Sequence, residues 1–408
     1  MKEGQRSLLA TSMAHFINDG LTGVLPLAYP VYVVSYGLSL QIVSIFTFFQ
    51  NGLSIVVSPL VGRRADVKGN FSGMLVLGLL IFAVGAAGYA VSGDFVGGGT
   101  LVAVLLVFTV MVGVGSSFYH PLGATVLRAK WRESELGRAL GLNGSAGSVG
   151  RIVLPFAAAL LITDYALPSV SVLAGLSAVG ALAIFIVLRN VKFAVNPQTN
   201  VSVRGSLLPD LGLLRRMVPL TVVSFSRGLF TGVVPFIPLY LTQVDHLSDL
   251  AAGFLYSGTL GVGIVSTILF GFMQDRLGPR ISLAISNLGG VVVLFIFAAS
   301  SDPLVVDGAV LIFGLFSYSA FPLLLGMVHT MTDFEEMTSA GSIVWGIGNN
   351  GGAAVAPLVI GALALPSAFG TLTAGFLAAA AIGILSVILI PFVHAARYVS
   401  LSSSSQAI

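Results

Sequence analysis

The sequence predicts an all-α membrane protein of twelve transmembrane helices, set in two six-helix bundles of similar design. Three observations predict it: a chain too apolar to keep its surface in water, twelve apolar runs of spanning length, and an internal repeat. Of the 408 residues, 56% are hydrophobic and 9% charged, and the mean hydropathy is +0.99. A soluble domain carries about 25% charged residues, so a water-exposed fold is excluded. The 49 glycines suit helices that pack backbone to backbone in lipid. The absence of cysteine excludes disulfides and thiolate metal sites.

A spanning helix needs about 20 mostly apolar residues. Cutting the chain at Gly, Pro and charge clusters gives runs over 8–36, 40–61, 71–92, 100–127, 138–162 and 168–188. The second half gives 217–241, 251–272, 281–300, 308–329, 339–362 and 369–394. The first run is too long for a signal-peptide core, carries Asp19 and ends without a small-x-small cleavage site, so it reads as a retained helix. One long polar stretch, RNVKFAVNPQTNVSVRGSLLPDLGLLRR, lies between runs six and seven. The expected organisation is therefore a first bundle over 1–188, a cytoplasmic linker over 189–216, and a second bundle with a short cytoplasmic tail over 217–408.

Lys and Arg placement predicts the orientation. Of the 19 Lys and Arg residues, all but Arg151 and Arg227 fall in the same set of alternate segments or at helix ends there. The opposite loops carry Asp94, Asp164, Asp245, Asp249, Asp302 and Asp307. Both termini are expected to be cytoplasmic, in a multi-pass protein of the cell membrane.

The repeat appears at constant offsets. TGVLP (22–26) returns as TGVVP (231–235), and GRRADVKGN (62–70) as GFMQDRLGP (271–279), each 209 residues on. Pro121 and Pro155 answer Pro322 and Pro357 at 201 and 202. Each half has six helices and starts on the same side, so the repeats are parallel. That symmetry belongs to two-bundle carriers whose site lies between the halves near the midplane.

An ionised side chain at the bilayer centre costs about 3 kcal/mol on insertion scales, so polar residues inside the runs mark function. HFINDG (15–20) supplies His15, Asn18 and Asp19. Asp19 lies about eleven residues into the first run, roughly 16 Å deep at 1.5 Å per residue. His15 and Asp19 stand four apart on one helix face. They pair an imidazole that titrates near neutrality with a carboxylate, as proton coupling requires; the bland alternative is a fixed polar clasp. Arg227 lies at similar depth in run seven, where an anionic substrate or Asp19 itself is the expected partner. Arg151 in run five is a second candidate for substrate, or a side chain that snorkels to an interface. His120, Asn18, Asn143, Trp345 and Asn349 complete the candidate substrate contacts, with Asn349 and Asn350 also readable as glue between helices. Glu335 and Glu336 read as solvated loop residues.

At this point the chain resembles the major facilitator superfamily over essentially its full length. The loop after helix two resembles that family's Gly-x-x-x-Asp-Arg-x-Gly-Arg signature at Gly62, Asp66 and Gly69, with Val67 and Asn70 departing from it. The loop after helix eight matches more closely, at Gly271, Asp275, Arg276, Gly278 and Arg280. The resemblance implies that these residues latch the two bundles on the cytoplasmic side. Within the superfamily, HFIND (15–19), GVGSSFYHP (113–121) and Ser226-Arg227 resemble the fosmidomycin-resistance-type exporters, from which Arg151 departs. That resemblance implies efflux by proton exchange.

One Asp and two Arg in the core leave a net positive cavity, suited to a small organic anion such as a phosphonate, carboxylate or sugar acid. If the anion and Asp19 compete for Arg227, proton and anion bind cooperatively, which favours symport instead. The expected function is thus proton-coupled efflux of a small anion or amphipathic drug-like compound, with proton symport as the alternative and a non-transporting receptor as a remote one. An enzyme would need a nucleophile–base pair or a metal cluster, and His15, Asp19 and His120 do not suffice. No resident metal, cofactor or nucleic-acid partner is expected; the proton is the coupling ion, the bilayer and a small molecule are the partners, and a monomer is the expected state.

Overall fold

A computed structural model gives the structure of the chain and describes residues 2–191, 211–332 and 337–393. The linker core 192–210, the loop with Glu335 and Glu336, and the tail 394–408 lie outside the described residues. Helix accounts for 87% of the structure, and no strand occurs among the described residues, as an all-α membrane chain requires.

The first bundle comprises helix one (Glu3–Val24, a tight turn Leu25–Leu27, then Ala28–Val34), two (Leu40–Lys68), three (Phe71–Val91), four (Gly98–Ser116 and Tyr119–Arg128), five (Glu133–Tyr165) and six (Ser171–Leu188). The second comprises seven (Leu211–Thr231, a turn Val234–Phe236, then Ile237–Gln243), eight (Asp249–Leu277), nine (Pro279–Ala299) and ten (Pro303–Ser317 and Ala320–His329). Helix eleven runs as Met337–Ser342, a π-helical stretch Ile343–Asn350 and Gly351–Leu363, and helix twelve as Leu372–Ile388. Helix seven is already formed at Leu211, earlier than the polar arginines at 215 and 216 led us to expect. An arginine one turn inside a helix end can lay its stem along apolar neighbours and reach water.

The repeat is legible in the backbone. The turns at Leu25–Leu27 and Val234–Phe236 stand 209 apart, and each carries a proline that removes a helix donor. Helices two and eight begin with Ser39 and Ser248, whose hydroxyls accept from Ile42 N and Ala251 N. They end at Gly69 and Gly278, with φ +65° and +81°, a conformation that disfavours any side chain. Helices four and ten break at the same register because Pro121 and Pro322 would collide with the carbonyl four residues back.

Eleven of the helices are long and apolar enough to cross a membrane by themselves. Helix one completes the twelve and falls short by that measure because it carries His15, Asn18 and Asp19. The contacts between bundles gather toward the face away from the chain's N-terminus, here called the distal face. Gln41 Nε2 donates to Gly361 O at 3.0 Å, Phe156 stacks on Phe254 at 4.5 Å, and Gly253 and Gly261 admit Ala159 and Ile152. Toward the terminal face the second segments of helices four and ten do not pack together. Among the described residues, the space between the bundles is therefore open toward the terminal side.

Candidate functional site

The site is built on the seam between helices one and five. Helix five carries GLNGSAGSVG, and its glycines set the approach: a Cβ on Gly150 would lie 2.1 Å from Phe16 O, and one on Gly147 would lie 2.3 Å from the His15 ring. Only hydrogen at these two positions lets the helices close and the imidazole lie flat between them. His15 stacks on Tyr119 of helix four at 4.5 Å between centroids.

The polar contacts then converge on Asp19, which is 9% exposed at its side chain. His15 Nε2 lies 3.1 Å from Asp19 Oδ2, and its Nδ1 lies 2.9 Å from the Asn143 backbone oxygen. Asn18 Nδ2 donates to Asp19 Oδ1 at 3.1 Å. His120 Nε2 stands 3.6 Å from Oδ1, and Arg151 Nε 3.4 Å from Oδ2. Tyr119 donates to Asn143 Oδ1 at 2.7 Å, which fixes that side chain beneath His15.

A carbonyl oxygen and a carboxylate oxygen can only accept, and they face the two ring nitrogens. Each ring nitrogen thus has an oxygen neighbour within hydrogen-bond distance, the Asn143 carbonyl on one side and the Asp19 carboxyl on the other.

Arg151 presents a different face. Its Nε turns to Asp19, while its terminal nitrogens carry no hydrogen bond among the described residues, and the side chain is 33% exposed. Its guanidinium carbon lies 5.8 Å from the centre of the Tyr318 ring across the gap. His120 is 63% exposed beside it. A planar fork with two open nitrogens next to an open imidazole suits an anionic group. The trio His15, Asp19 and His120 offers three donor atoms within 4.8 Å of one another. A divalent cation there would stand beside the Arg151 guanidinium, which lies 3.4 Å from Asp19 Oδ2 and opposes a second positive charge.

Arg227 corrects the expected pairing. It does not meet Asp19; it is fully buried inside the second bundle. Its Nη1 donates to Ser286 Oγ at 3.1 Å and to Asn287 Oδ1, and its Nη2 to Phe316 O at 2.6 Å, Ser317 O at 3.4 Å and Ser319 Oγ at 3.0 Å. The break in helix ten leaves carbonyls without intrahelical donors at the negative end of the helix dipole, and a guanidinium satisfies both needs. Arg227 thus pins helices seven, nine and ten together, and the partner of Asp19 is Arg151. Arg151 does not snorkel to an interface.

The other expected residues are placed as follows. Asn18 and Asn143 join the cluster. Asn349 is 8% exposed, with its backbone oxygen where a Cβ on Gly228 would lie 2.1 Å away, and serves the seam between helices seven and eleven. Trp345 meets Phe321 edge to face at 5.1 Å. Among the expected latch residues, Gly62 packs near Pro121 of its own bundle, Asp275 and Arg276 are exposed, and Arg280 donates to Pro391 O at 2.7 Å within the second bundle. Gly69 and Gly278 cap helices, and the Asp66 side chain lies outside the described residues. No contact of these residues crosses to the opposite bundle on the open terminal side among the described residues. Tyr119, quoted only as part of GVGSSFYHP, and Tyr318 were not among the expected site residues; each sits at a proline-induced helix break.

The family model described as Major Facilitator Superfamily matches residues 11–344, and the chain belongs to that superfamily. It is a multi-pass membrane protein with the fold of a secondary carrier that works by alternating access. The chain is 23% identical over 370 residues, 86% of each chain, to the uncharacterized MFS-type transporter YfnC of Bacillus subtilis (strain 168). It is 25% identical to the fosmidomycin resistance protein of Escherichia coli (strain K12) over 283 residues, 69% of this chain and 68% of that one. Among solved structures, the nucleoside transporter NupG superposes with a TM-score of 0.74 at 12% identity, over 95% of this chain and 98% of that one. A bacterial homolog of the human lysosomal transporter Spinster, inward-facing and unoccupied, also gives 0.74, at 14% identity over 96% and 95%.

Proposed function

We propose that the protein is a proton-coupled carrier that exports a small organic anion or amphipathic anionic compound from the cell. The observation that carries the reading is the midplane cluster itself. Asp19 lies between an imidazole whose two nitrogens both face acceptors and a guanidinium whose terminal nitrogens are open. The first half of that arrangement handles a proton, and the second handles an anion. Termini on the cytoplasmic side follow from the Lys and Arg distribution, and the open terminal face then presents the cluster to the cytoplasm.

Two supports favour export by exchange: the HFIND and GVGSSFYHP motifs, and the likeness to a relative named for fosmidomycin resistance. One observation favours symport. Arg151 touches Asp19, so protonating Asp19 frees the guanidinium for an anion and makes the two bind together.

Proteoliposomes with a lumenal pH dye and an imposed proton gradient separate the two. A panel of phosphonates, including fosmidomycin, and carboxylates is added outside one at a time. Protons leaving the lumen on addition establish exchange; lumenal acidification establishes symport. Asp19→Asn is expected to abolish the proton flux at least 100-fold. Undiminished flux with unchanged pH dependence in that variant would remove Asp19 from the mechanism.

A further inference from the structure

The repeat allows the two walls of the cavity to be compared position by position. The offset of 209 pairs His15 with Ser224 and Asp19 with Gly228. The offset of 201 around the helix breaks pairs His120 with Phe321. The offset of 202 pairs Asn143 with Trp345 and Arg151 with Ala353. The backbone supports the last register independently. A Cβ on Gly150 would lie 2.1 Å from Phe16 O, and one on Gly352 would lie 2.1 Å from Phe225 O, with both partners also 209 apart.

Every ionic member of the first wall thus faces a neutral counterpart in the second. The replacements are not random. His120, beside Asp19, and Asn143, against His15, correspond to Phe321 and Trp345, whose rings touch edge to face at 5.1 Å. Phe321 is 53% exposed and Trp345 half-buried, so the pair is not consumed by the core. Tyr318 lies just before it in sequence. Its ring occupies the space that a Cβ on Gly263 would need, 2.7 Å away, and its other side meets Arg151. The one midplane cation of the second bundle, Arg227, is fully buried and offers the cavity no charge.

We propose that the cavity is a two-sided site for an amphiphilic anion. The anionic head lies at Arg151 and His120 of the first bundle, and an aromatic body lies against Phe321, Trp345 and Tyr318 of the second. Such a ligand touches both bundles at once, so its shape rather than its charge alone reports on closure. The proposal rests on the carrier reading for its purpose but is tested by binding alone, so its failure does not decide the proton-flux experiment.

The test is calorimetric titration of the full-length protein in lipid nanodiscs with phenylphosphonate and with methylphosphonate. The two probes share a head and differ in the body. The wild-type protein is expected to bind phenylphosphonate about tenfold more tightly, the gain from burying one ring on an aromatic surface. Phe321→Leu and Trp345→Leu are each expected to cut that preference to about threefold or less. Arg151→Gln should weaken both probes alike and leave the preference in place. Phe321 is largely exposed, so its variant keeps the fold, and thermal unfolding of each variant checks this directly. No preference in the wild type, or a preference that survives both aromatic variants, would overturn the two-sided site. If neither probe binds the wild type, the anion head site fails with it. If Arg151→Gln abolishes binding while the aromatic variants keep the preference, only the aromatic wall is wrong.

Discussion

Helices one and seven occupy equivalent places, turn at equivalent prolines and close on helices five and eleven through equivalent glycines. Yet residue 18 is an asparagine hydrogen-bonded to Asp19, and its counterpart is an arginine sealed in the core. Backbone geometry has been kept across the duplication while side-chain chemistry has parted. In the first bundle a charge is left where a proton or a ligand can reach it. In the second a charge is bound to helix ends and hydroxyls, where it holds three helices in register. The depth of an ionisable residue in the membrane therefore does not tell its role; what matters is whether its partners can be exchanged.

The largest effect expected from this contrast is on stability. Arg227→Leu leaves Ser317 O and Asn287 Oδ1 without their donor, while Phe316 O keeps the hydroxyls of Ser286 and Ser319. Unsatisfied buried groups cost about 1–3 kcal/mol each, so a loss of about 3 kcal/mol or more is expected, seen as a large fall in Tm in detergent. The variant that does fold should keep its proton response. A stable Arg227→Leu protein with no pH response would reverse the roles assigned to the two bundles.

A smaller and matched effect is expected at the two glycine seams. Gly150→Ala and Gly352→Ala each put a methyl group 2.1 Å from a backbone oxygen, where neither atom is at the end of a flexible side chain. Each should cost about 1–3 kcal/mol as the helices move apart. Thermal unfolding should show similar losses in both variants; a loss in one alone would mean that the seams are not equivalent.

The smallest effect concerns the distal face of the second bundle. Partial burial, with Asp307 close by, pushes the Asp245 carboxyl up to about 6 from 3.8. Because the folded value lies above the unfolded one, this group favours the folded state fully below about pH 4, and that contribution is lost as pH rises through about 6. Tm should fall by about 1–2 °C between pH 4.5 and 7 on this account. Asp245→Asn should flatten that slope. An unchanged slope in the variant would assign the dependence to another group.

Much of the architecture could be read directly from the chain. Twelve runs and the offsets of 209, 201 and 202 follow from hydropathy and proline placement and reappear in the described backbone, whereas linker residues 192–210 lie outside the described residues. His15 and Asp19 were legible because a carboxylate inside an apolar helix is costly and their spacing puts them on one face. The pairing of Asp19 was not legible. Sequence gives depth along a helix to within a turn, but each residue also turns the side chain by about 100°. Arg151 and Arg227 lie at comparable depths, and only their azimuth sends one toward Asp19 and the other into its own bundle. The aromatic contact of Phe321 with Trp345 was hidden for the same reason, although Trp345 had been singled out by the repeat.

The sequence by itself determined that this protein crosses a membrane twelve times, is duplicated, and carries an ionisable pair in its first helix. These are properties of composition and spacing along one dimension, and solvent transfer energies set them without reference to partners. The tertiary structure decided which charges meet, which helix ends need a guanidinium, and which aromatic rings touch. Those outcomes depend on helix rotation and close approach, and they were fixed by glycines that let backbones touch and prolines that opened carbonyls for Arg227 to fill.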